Sequence, residues 1–375
     1  MSTEQPLRVI VVGAGHMGRH HARIYANTPG CRLVAVVDKD EGRAFQIASE
    51  FGGDACRSVA DFAGDIDAAT VAVPTVYHAE VAVPLLDRGV AVLVEKPLAQ
   101  DSATARHLLE ASRRTGSLLQ VGHSERFNPV VQAMLRMNIA ARFIETQRVS
   151  PFTFRSADVG VVFDMMIHDI DIVLHLVRSR ECTVDAVGVA VLGSCEDVAN
   201  ARLRFGGEAA ANLTASRLAL KTERRIRVFS PTAYLTMDYH KKTGLAIKVA
   251  DNIDLIRIAR ERNFEDLAQM SSMDFGSMVK VEPLHVGDVE PLRAEIESFL
   301  AAVRQKKSAL TGSSKALGSD RAGAGGSTAI GPHASSAASA EEGYDAVVLA
   351  ERITAAVREN DWGGVLGEHH RHGRD

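Results

Sequence analysis

Residues 7–18, LRVIVVGAGHMG, restrict the fold more than any other stretch of the chain. A Val- and Ile-rich run of this length reads as a buried strand. It empties into Gly13, Gly15 and Gly18 at G-x-G-x-x-G spacing, and His16–Asn27 continues with helical character. Strand, glycine turn and helix in that order let the backbone approach a pyrophosphate, whose charge the N–H groups of a helix N-terminus can hold. The next strand, Leu33–Val37, ends in Asp38, at the spacing expected of an acid that accepts hydrogen bonds from the adenosine ribose. A carboxylate there repels a 2′-phosphate, so the expected cofactor is NAD rather than NADP; the neighbouring Lys39 softens that preference without reversing it.

Strand and helix go on alternating. Helical stretches at Arg43–Phe51, His78–Arg88 and Ser102–Thr115 separate strands at Ala68–Val73, Val90–Val94 and Leu118–Gly122, with Pro74 and Thr75 in a loop. That alternation specifies an α/β domain over residues 1–122, a doubly wound parallel sheet of the Rossmann type. In such sheets ligands bind beyond the carboxyl ends of the strands. The run Val90–Val94 ends there in two charges, Glu95 and Lys96, and Pro97 stops the ladder. Lys96 is therefore expected at the rim of the sheet, on a rigid turn.

After Gly122 the pattern changes. His123–Pro129 reads as a polar loop, and strands follow at Phe143–Val149, Val184–Leu192, Ala199–Phe205, Ala209–Ser216, Arg225–Phe229 and Tyr234–Asp238. Their short connections specify an α+β domain with a large open, mostly antiparallel sheet, assigned to residues 123–309 and 341–362. Between its first two strands lies a helix, Val161–Leu176. Phe163, Ile167, Ile170, Leu174 and Val177 form its apolar stripe, and Asp164, His168, Asp171 and His175 a polar one. At i,i+4 the Asp164 carboxylate can orient the His168 imidazole and raise its basicity. A solvated helix face and a metal site at Asp164, His168 and Asp171 are the competing readings of that stripe; no second cluster completes a metal shell, so none is assigned. Residues 310–340, rich in Gly, Ser and Ala, read as a disordered insertion, and 363–375 as a flexible tail whose His369, His370 and His372 bind metal only adventitiously.

Bulk properties exclude several classes. The net charge of −4 leaves no electrostatic footprint for nucleic acid or an anionic membrane. No apolar run approaches the roughly 20 residues of a membrane span, and MSTEQP lacks the basic region of a signal peptide. Cys31, Cys56, Cys182 and Cys195 are widely spaced, as expected of reduced thiols in a cytoplasmic protein.

Together the segments GAGHMG, VPTVYHAEVA, VEKPLA and DMMIHDID resemble the Gfo/Idh/MocA oxidoreductases over nearly the whole chain. The resemblance implies that Lys96, Asp164 and His168 form the catalytic set. It implies a cofactor site drawing on Gly13, Gly15, His16, Met17, Gly18 and Asp38, and further on Pro74, Thr75, His78, Glu95 and Lys96. It also implies a cis peptide at Lys96–Pro97 and a homodimer or homotetramer. Lys96 and His168 would share the proton of a secondary hydroxyl as hydride leaves for the nicotinamide, the lysine drawn towards neutrality by burial beside the cationic ring. The segments VGHSERFNPVV, VGVVFDMMIHDID and ANLTASRLALK are similar to the subgroup that includes UDP-N-acetylglucosamine 3-dehydrogenases, whose ketone product goes to an aminotransferase. Arg126, Asn128, Arg148 and Arg155, with Lys96, Asp164 and His168, are the substrate-binding residues this implies, since guanidinium suits phosphate. Inositol or another sugar remains an alternative substrate, and an NAD-binding regulator without turnover the alternative of another class.

Overall fold

The computed structural model describes residues 5–153, 159–192, 194–249, 279–284, 286–316 and 337–360. Arg155, most of the 310–340 insertion and the 363–375 tail with its histidines lie outside the described residues. The chain divides into two compact units, Met1–Asn128 with Val289–Arg352, and Pro129–Asp288 with Ile353–Asp375.

The first unit opens β1 (Leu7–Val12), α1 (His16–Ala26), β2 (Cys31–Val37), α2 (Glu41–Phe51) and the short edge strand β3 (Asp54–Cys56). It continues β4 (Ala68–Val71), α3 (His78–Asp87), β5 (Ala91–Glu95), α4 (Ser102–Thr115) and β6 (Leu119–Gly122). These six strands are parallel in the order β6-β5-β4-β1-β2-β3. The order reverses between β1 and β4, so the loops after those two strands diverge and leave a crevice for a ligand. β3 escapes the sequence reading because three residues, two of them exposed, carry no apolar run.

Two elements of this unit come from far along the chain. A helix at Pro291–Ala316 brings Ile296, Phe299, Leu300 and Val303, one stripe at helical spacing, into a core shared with Val9, Val11, Ile24, Tyr25 and Leu93. It packs on the Rossmann sheet, although sequence order assigns it to the second domain. Ala338–Ser339 pairs antiparallel with β6 and makes the sheet seven-stranded. The expected insertion is thus ordered at both ends, as helix to Ala316 and as strand from Ala338; 317–336 lies outside the described residues.

The second unit holds a helix at Pro129–Arg136 and β7 (Phe143–Val149), then a π-helical turn, Val162–Met166, running into an α-helix, Ile167–Val177. The strands β8 (Thr183–Val189), β9 (Val198–Phe205), β10 (Ala209–Ser216), β11 (Glu223–Phe229) and β12 (Ala233–Asp238) follow, with β13 (Thr243–Val249) and β14 (Val279–Pro283) beyond those read from sequence. They form one eight-stranded sheet, β14-β13-β12-β11-β7-β10-β9-β8, antiparallel except for β7 beside β10. Along β9 and β10 burial alternates strictly: Ala199, Ala201, Leu203, Leu213 and Ala215 are buried. Asn200 bonds Thr214 (2.8 Å) and Arg202 bonds Asn212 (3.1 Å) on the other face. The final helix, Ala340–Glu359, begins in the first unit and ends in the second.

Candidate functional site

The three fingerprint glycines have separate jobs. Gly13 sits at φ +105°, and a Cβ there would lie 2.5 Å from the carbonyl oxygen of Ala72. A Cβ on Gly18 would lie 1.7 Å from the carbonyl oxygen of Gly13, so the turn and α1 are pressed together. Gly15 is exposed and meets nothing within 4 Å. It caps α1 without a side chain, and the first turn carries no acid. The cap therefore gives the first-turn N–H groups no side-chain acceptor, which suits a pyrophosphate. His16 is exposed and Met17 half-buried on the same turn.

Asp38 fixes the adenosine end. One carboxylate oxygen accepts the Ala14 N–H at 2.6 Å and the other the Asp40 N–H at 2.9 Å. A carboxylate has about four acceptor positions, so capacity remains for ribose hydroxyls. The Lys39 ammonium lies over the ring of Tyr77, 4.7 Å from its centroid. That attraction turns the lysine towards the loop after β4, which also carries Pro74 and Thr75. These residues fit a dinucleotide such as NAD.

Lys96 follows the last residue of β5 and is half-buried, and its bond to Pro97 is cis. Beneath it lies a buried polar chain that periodicity does not reveal. One Glu95 oxygen is 2.8 Å from His21 Nε2, and the other accepts the Lys96 N–H at 3.2 Å. His21 Nδ1 lies 3.3 Å from Thr70 Oγ1, which is 2.7 Å from the Tyr25 hydroxyl. Burial alone would raise the Glu95 carboxyl, but the bond and charge of His21 together with the charge and backbone N–H of Lys96 outweigh it and hold the group below the usual range. The only sequence signals for this chain are polar residues at positions that should be apolar, His21 and Thr70.

His78, expected at the cofactor, is turned into the protein. Its ring is buried, with Nε2 at 3.0 Å from the Val73 carbonyl oxygen and Nδ1 at 3.1 and 3.2 Å from those of Pro97 and Leu98. Burial pushes its pKa down despite these acceptors. The ring sits between the loop after β4 and the turn after Lys96, with protein carbonyls near both nitrogens, and in its neutral form it donates its single N–H to one side only.

In the second unit, Asp164 lies within the π-helical turn and His168 in the first turn of the following α-helix, both half-buried. The wider π turn thus carries Asp164 immediately before the α-helical turn that carries His168. The polar stripe is also split, because Asp171 is buried. Buried charges pin the approach to this turn. Glu196 accepts the Val162 N–H at 3.2 Å, and a Cβ on Gly160 would fall 2.1 Å from the Glu196 carboxylate and displace it. Arg217 Nε meets Asp197 at 2.5 Å while its Nη1 donates to the Val159 carbonyl at 2.7 Å. Burial raises the Glu196 carboxyl.

Three residues expected to meet substrate have protein partners instead. Arg126 is 1% exposed and pairs with Glu342 at 2.9 Å. Arg148 makes a bidentate bond to Asp169, at 3.0 and 2.9 Å, locking β7 to the helix that carries His168. Asn128 is buried, with its amide 3.5 Å from Glu125. Their acidic partners are distant in sequence for both arginines, so nothing in the local pattern marks them as internal. Lys96, Arg126 and Asn128 belong to the first unit, and Arg148, Asp164 and His168 to the second. Among the described residues no three His, Cys, Asp or Glu side chains gather as a metal site, and no helix is long and apolar enough to cross a membrane.

Residues 7–123 match the oxidoreductase family with the NAD-binding Rossmann fold, and residues 132–235 match the GFO/IDH/MocA C-terminal domain. A UDP-N-acetylglucosamine 3-dehydrogenase of Acidithiobacillus ferrooxidans is 35% identical over 238 residues, 63% of this chain and 75% of that protein. The scyllo-inositol 2-dehydrogenase (NAD(+)) of Bacillus subtilis is 30% identical over 199 residues, 49% of this chain and 58% of that protein. The solved structure of the Acidithiobacillus enzyme, GnnA, superposes with a TM-score of 0.76 at 27% identity, covering 95% of this chain and 99% of that one. Levoglucosan dehydrogenase in complex with NADH, at 17% identity and a TM-score of 0.71 over 95% of this chain and 98% of that one, shares the fold.

Proposed function

The chain belongs to the Gfo/Idh/MocA oxidoreductases, NAD-dependent enzymes acting on CH–OH groups, and from that premise we propose that it oxidises the 3-hydroxyl of UDP-N-acetylglucosamine to the 3-keto sugar. The observation that carries the substrate is the 35% identity to the Acidithiobacillus 3-dehydrogenase, supported by the likeness to that enzyme's structure.

Bound NAD supplies a hydride acceptor. The glycine turn and the N-terminus of α1 hold the pyrophosphate, and Asp38 the adenosine ribose. A sugar hydroxyl is too weak an acid to ionise unaided, so a positioned base must remove its proton as the hydride leaves. Lys96 and His168 take that role jointly, with Asp164 orienting the imidazole. The ammonium that Lys96 then carries returns the proton when the reaction runs in reverse. Of the arginines implied as substrate contacts, Arg126 and Arg148 are engaged by Glu342 and Asp169, and Arg155 lies outside the described residues. The polar face of the second sheet suits association into a homodimer or homotetramer, and an aminotransferase would consume the ketone in the cytoplasm. A second reading, inositol oxidation by the same residues, is favoured by the 30% identity to the Bacillus enzyme.

The test is the rise of reduced-nicotinamide absorbance when the protein and NAD meet UDP-N-acetylglucosamine, myo-inositol and scyllo-inositol in turn, with an aminotransferase to draw the ketone off. Turnover with the nucleotide sugar alone is expected. Turnover with an inositol alone transfers the assignment to the second reading. Lys96→Met is expected to bind NAD normally and to lose at least a hundredfold in kcat; full activity in that variant would refute the role of Lys96.

A further inference from the structure

Three side chains that do not belong to the fingerprint motifs converge under the turn that carries Lys96. His21 and Tyr25, one turn apart on α1, and Thr70 in the middle of β4 are completely buried. Burying this many polar atoms in the heart of a Rossmann core costs stability unless each is bonded, and hydrophobic residues of similar volume would serve packing alone. What the cluster does hold is one carboxylate. Glu95 presents one oxygen to His21 at 2.8 Å and the other to the Lys96 N–H at 3.2 Å. Gly122 on the adjacent strand lies against it: a Cβ there would stand 3.3 Å from the Glu95 Cα and in van der Waals contact, at 3.4 Å, with the carboxylate.

We propose that His21 is a positioning residue of the hydride-transfer site, holding the Glu95 carboxylate ionised beneath the Lys96 turn so that Glu95 sets how firmly Lys96 keeps its proton. The Glu95 carboxylate and the Lys96 charge feel each other; the carboxylate favours the ammonium, and a bound nicotinamide cation opposes it. The two influences place the lysine between firm acid and ready base. Thr70 and Tyr25 complete the arrangement by fixing the imidazole: Thr70 bonds the far ring nitrogen and Tyr25 bonds Thr70. The charged or titratable groups that face Glu95 are His21 from α1, Lys96 itself and, from α3, His78, which feels the Glu95 charge. His78 is the weaker influence, since burial drives it towards the neutral form.

The inference rests on the reading of Lys96 as acid and base, but its test does not depend on turnover. The full chain is treated with acetic anhydride across a pH series, and the modification of Lys96 is followed by peptide mass spectrometry. Glu95→Gln keeps the shape and a hydrogen bond to His21 while removing the charge. In that variant the Lys96 titration is expected to fall by about one pH unit, about a tenfold gain in labelling at a fixed pH below the transition. His21→Leu should move it the same way, because an unsupported buried Glu95 takes up a proton, and His21→Gln should restore most of the original position. An unmoved Lys96 titration in folded Glu95→Gln, with NAD binding and the melting temperature unchanged, overturns the inference and leaves the reading of Lys96 intact. A fully active Lys96→Met enzyme overturns that reading and the inference with it. The pH dependence of kcat should shift with the labelling; a merely structural His21 would change the melting temperature and leave both profiles in place.

Discussion

Replacing Arg148 by Met leaves the Asp169 carboxylate buried without its bidentate partner, and the cost can be worked out. Both side chains are almost completely shielded, 4% and 2% exposed. Breaking such a pair by removing one member costs about 3–5 kcal/mol. An independent limit comes from protonation. The carboxyl that has lost Arg148 can escape its charge by taking up a proton, and lifting a pKa from about 3.9 past pH 7 costs about 4 kcal/mol at 1.36 kcal/mol per unit. The two figures agree at neutral pH. They part at lower pH, because the same escape at pH 5 costs only about 1.5 kcal/mol. The sign follows from linkage: the variant's native state binds a proton that the unfolded chain releases above its ordinary carboxyl pKa. The penalty therefore grows as pH rises and vanishes below about pH 4. For a unit of this size the melting temperature should drop by about 8–16 °C at pH 7 and by about 3–6 °C at pH 5. Differential scanning calorimetry at the two pH values measures this, with NAD binding as a control on the other unit. Arg148→Met with Asp169→Leu should recover most of the loss and all of the pH dependence. A penalty of the same size at both pH values would refute the reasoning, since it would mean that packing rather than an orphaned charge dominates.

Further outcomes follow from the same geometry. Gly15→Ala introduces a methyl into open space, so the protein should keep its melting temperature while NAD affinity falls at least tenfold by titration calorimetry; Gly18→Ala, whose Cβ would meet the Gly13 carbonyl at 1.7 Å, should lose about 2 kcal/mol or more of stability as well. Burial alone would raise the Asp67 carboxyl, but bonds from Arg8 and Lys307 outweigh it and hold it well below the ordinary range. Its contribution is complete above the unfolded value near pH 4 and disappears as pH falls towards the folded value, so Asp67→Asn should flatten the acid limb of the urea-midpoint profile. Arg126→Met should lower stability by about 1–2 kcal/mol and leave KM for the sugar unchanged, since Glu342 is 34% exposed and can be rehydrated. A raised KM at an unchanged melting temperature would return Arg126 to the substrate.

The dinucleotide half was legible because its signals are local. Gly13, Gly15 and Gly18 act through backbone conformation and close approach within one turn, and Asp38 is placed by the length of a single βα unit. Lys96 was legible for the same reason, as a charge and a proline ending an apolar strand. The polar chain under it was not, because His21, Thr70 and Glu95 are joined only when α1 and β4 pack around β5. Arg126 and Arg148 show the converse. Their residue type suits a phosphate, yet their guanidinium groups meet Glu342 and Asp169, 216 and 21 residues away.

By itself the sequence determined the α/β grammar, the glycine turn with its preference for NAD, and the strict alternation that makes the second sheet one-sided. Those follow from periodicity and backbone freedom, which need only neighbours along the chain. Tertiary structure alone decided that the helix at Pro291–Ala316 packs on the Rossmann sheet and that a π-helical turn presents Asp164. It also decided which charges point inward, because an isolated arginine or glutamate carries the same pattern whether it faces water or a partner. The free energy that separates those two fates resides in a contact made only when the chain is folded.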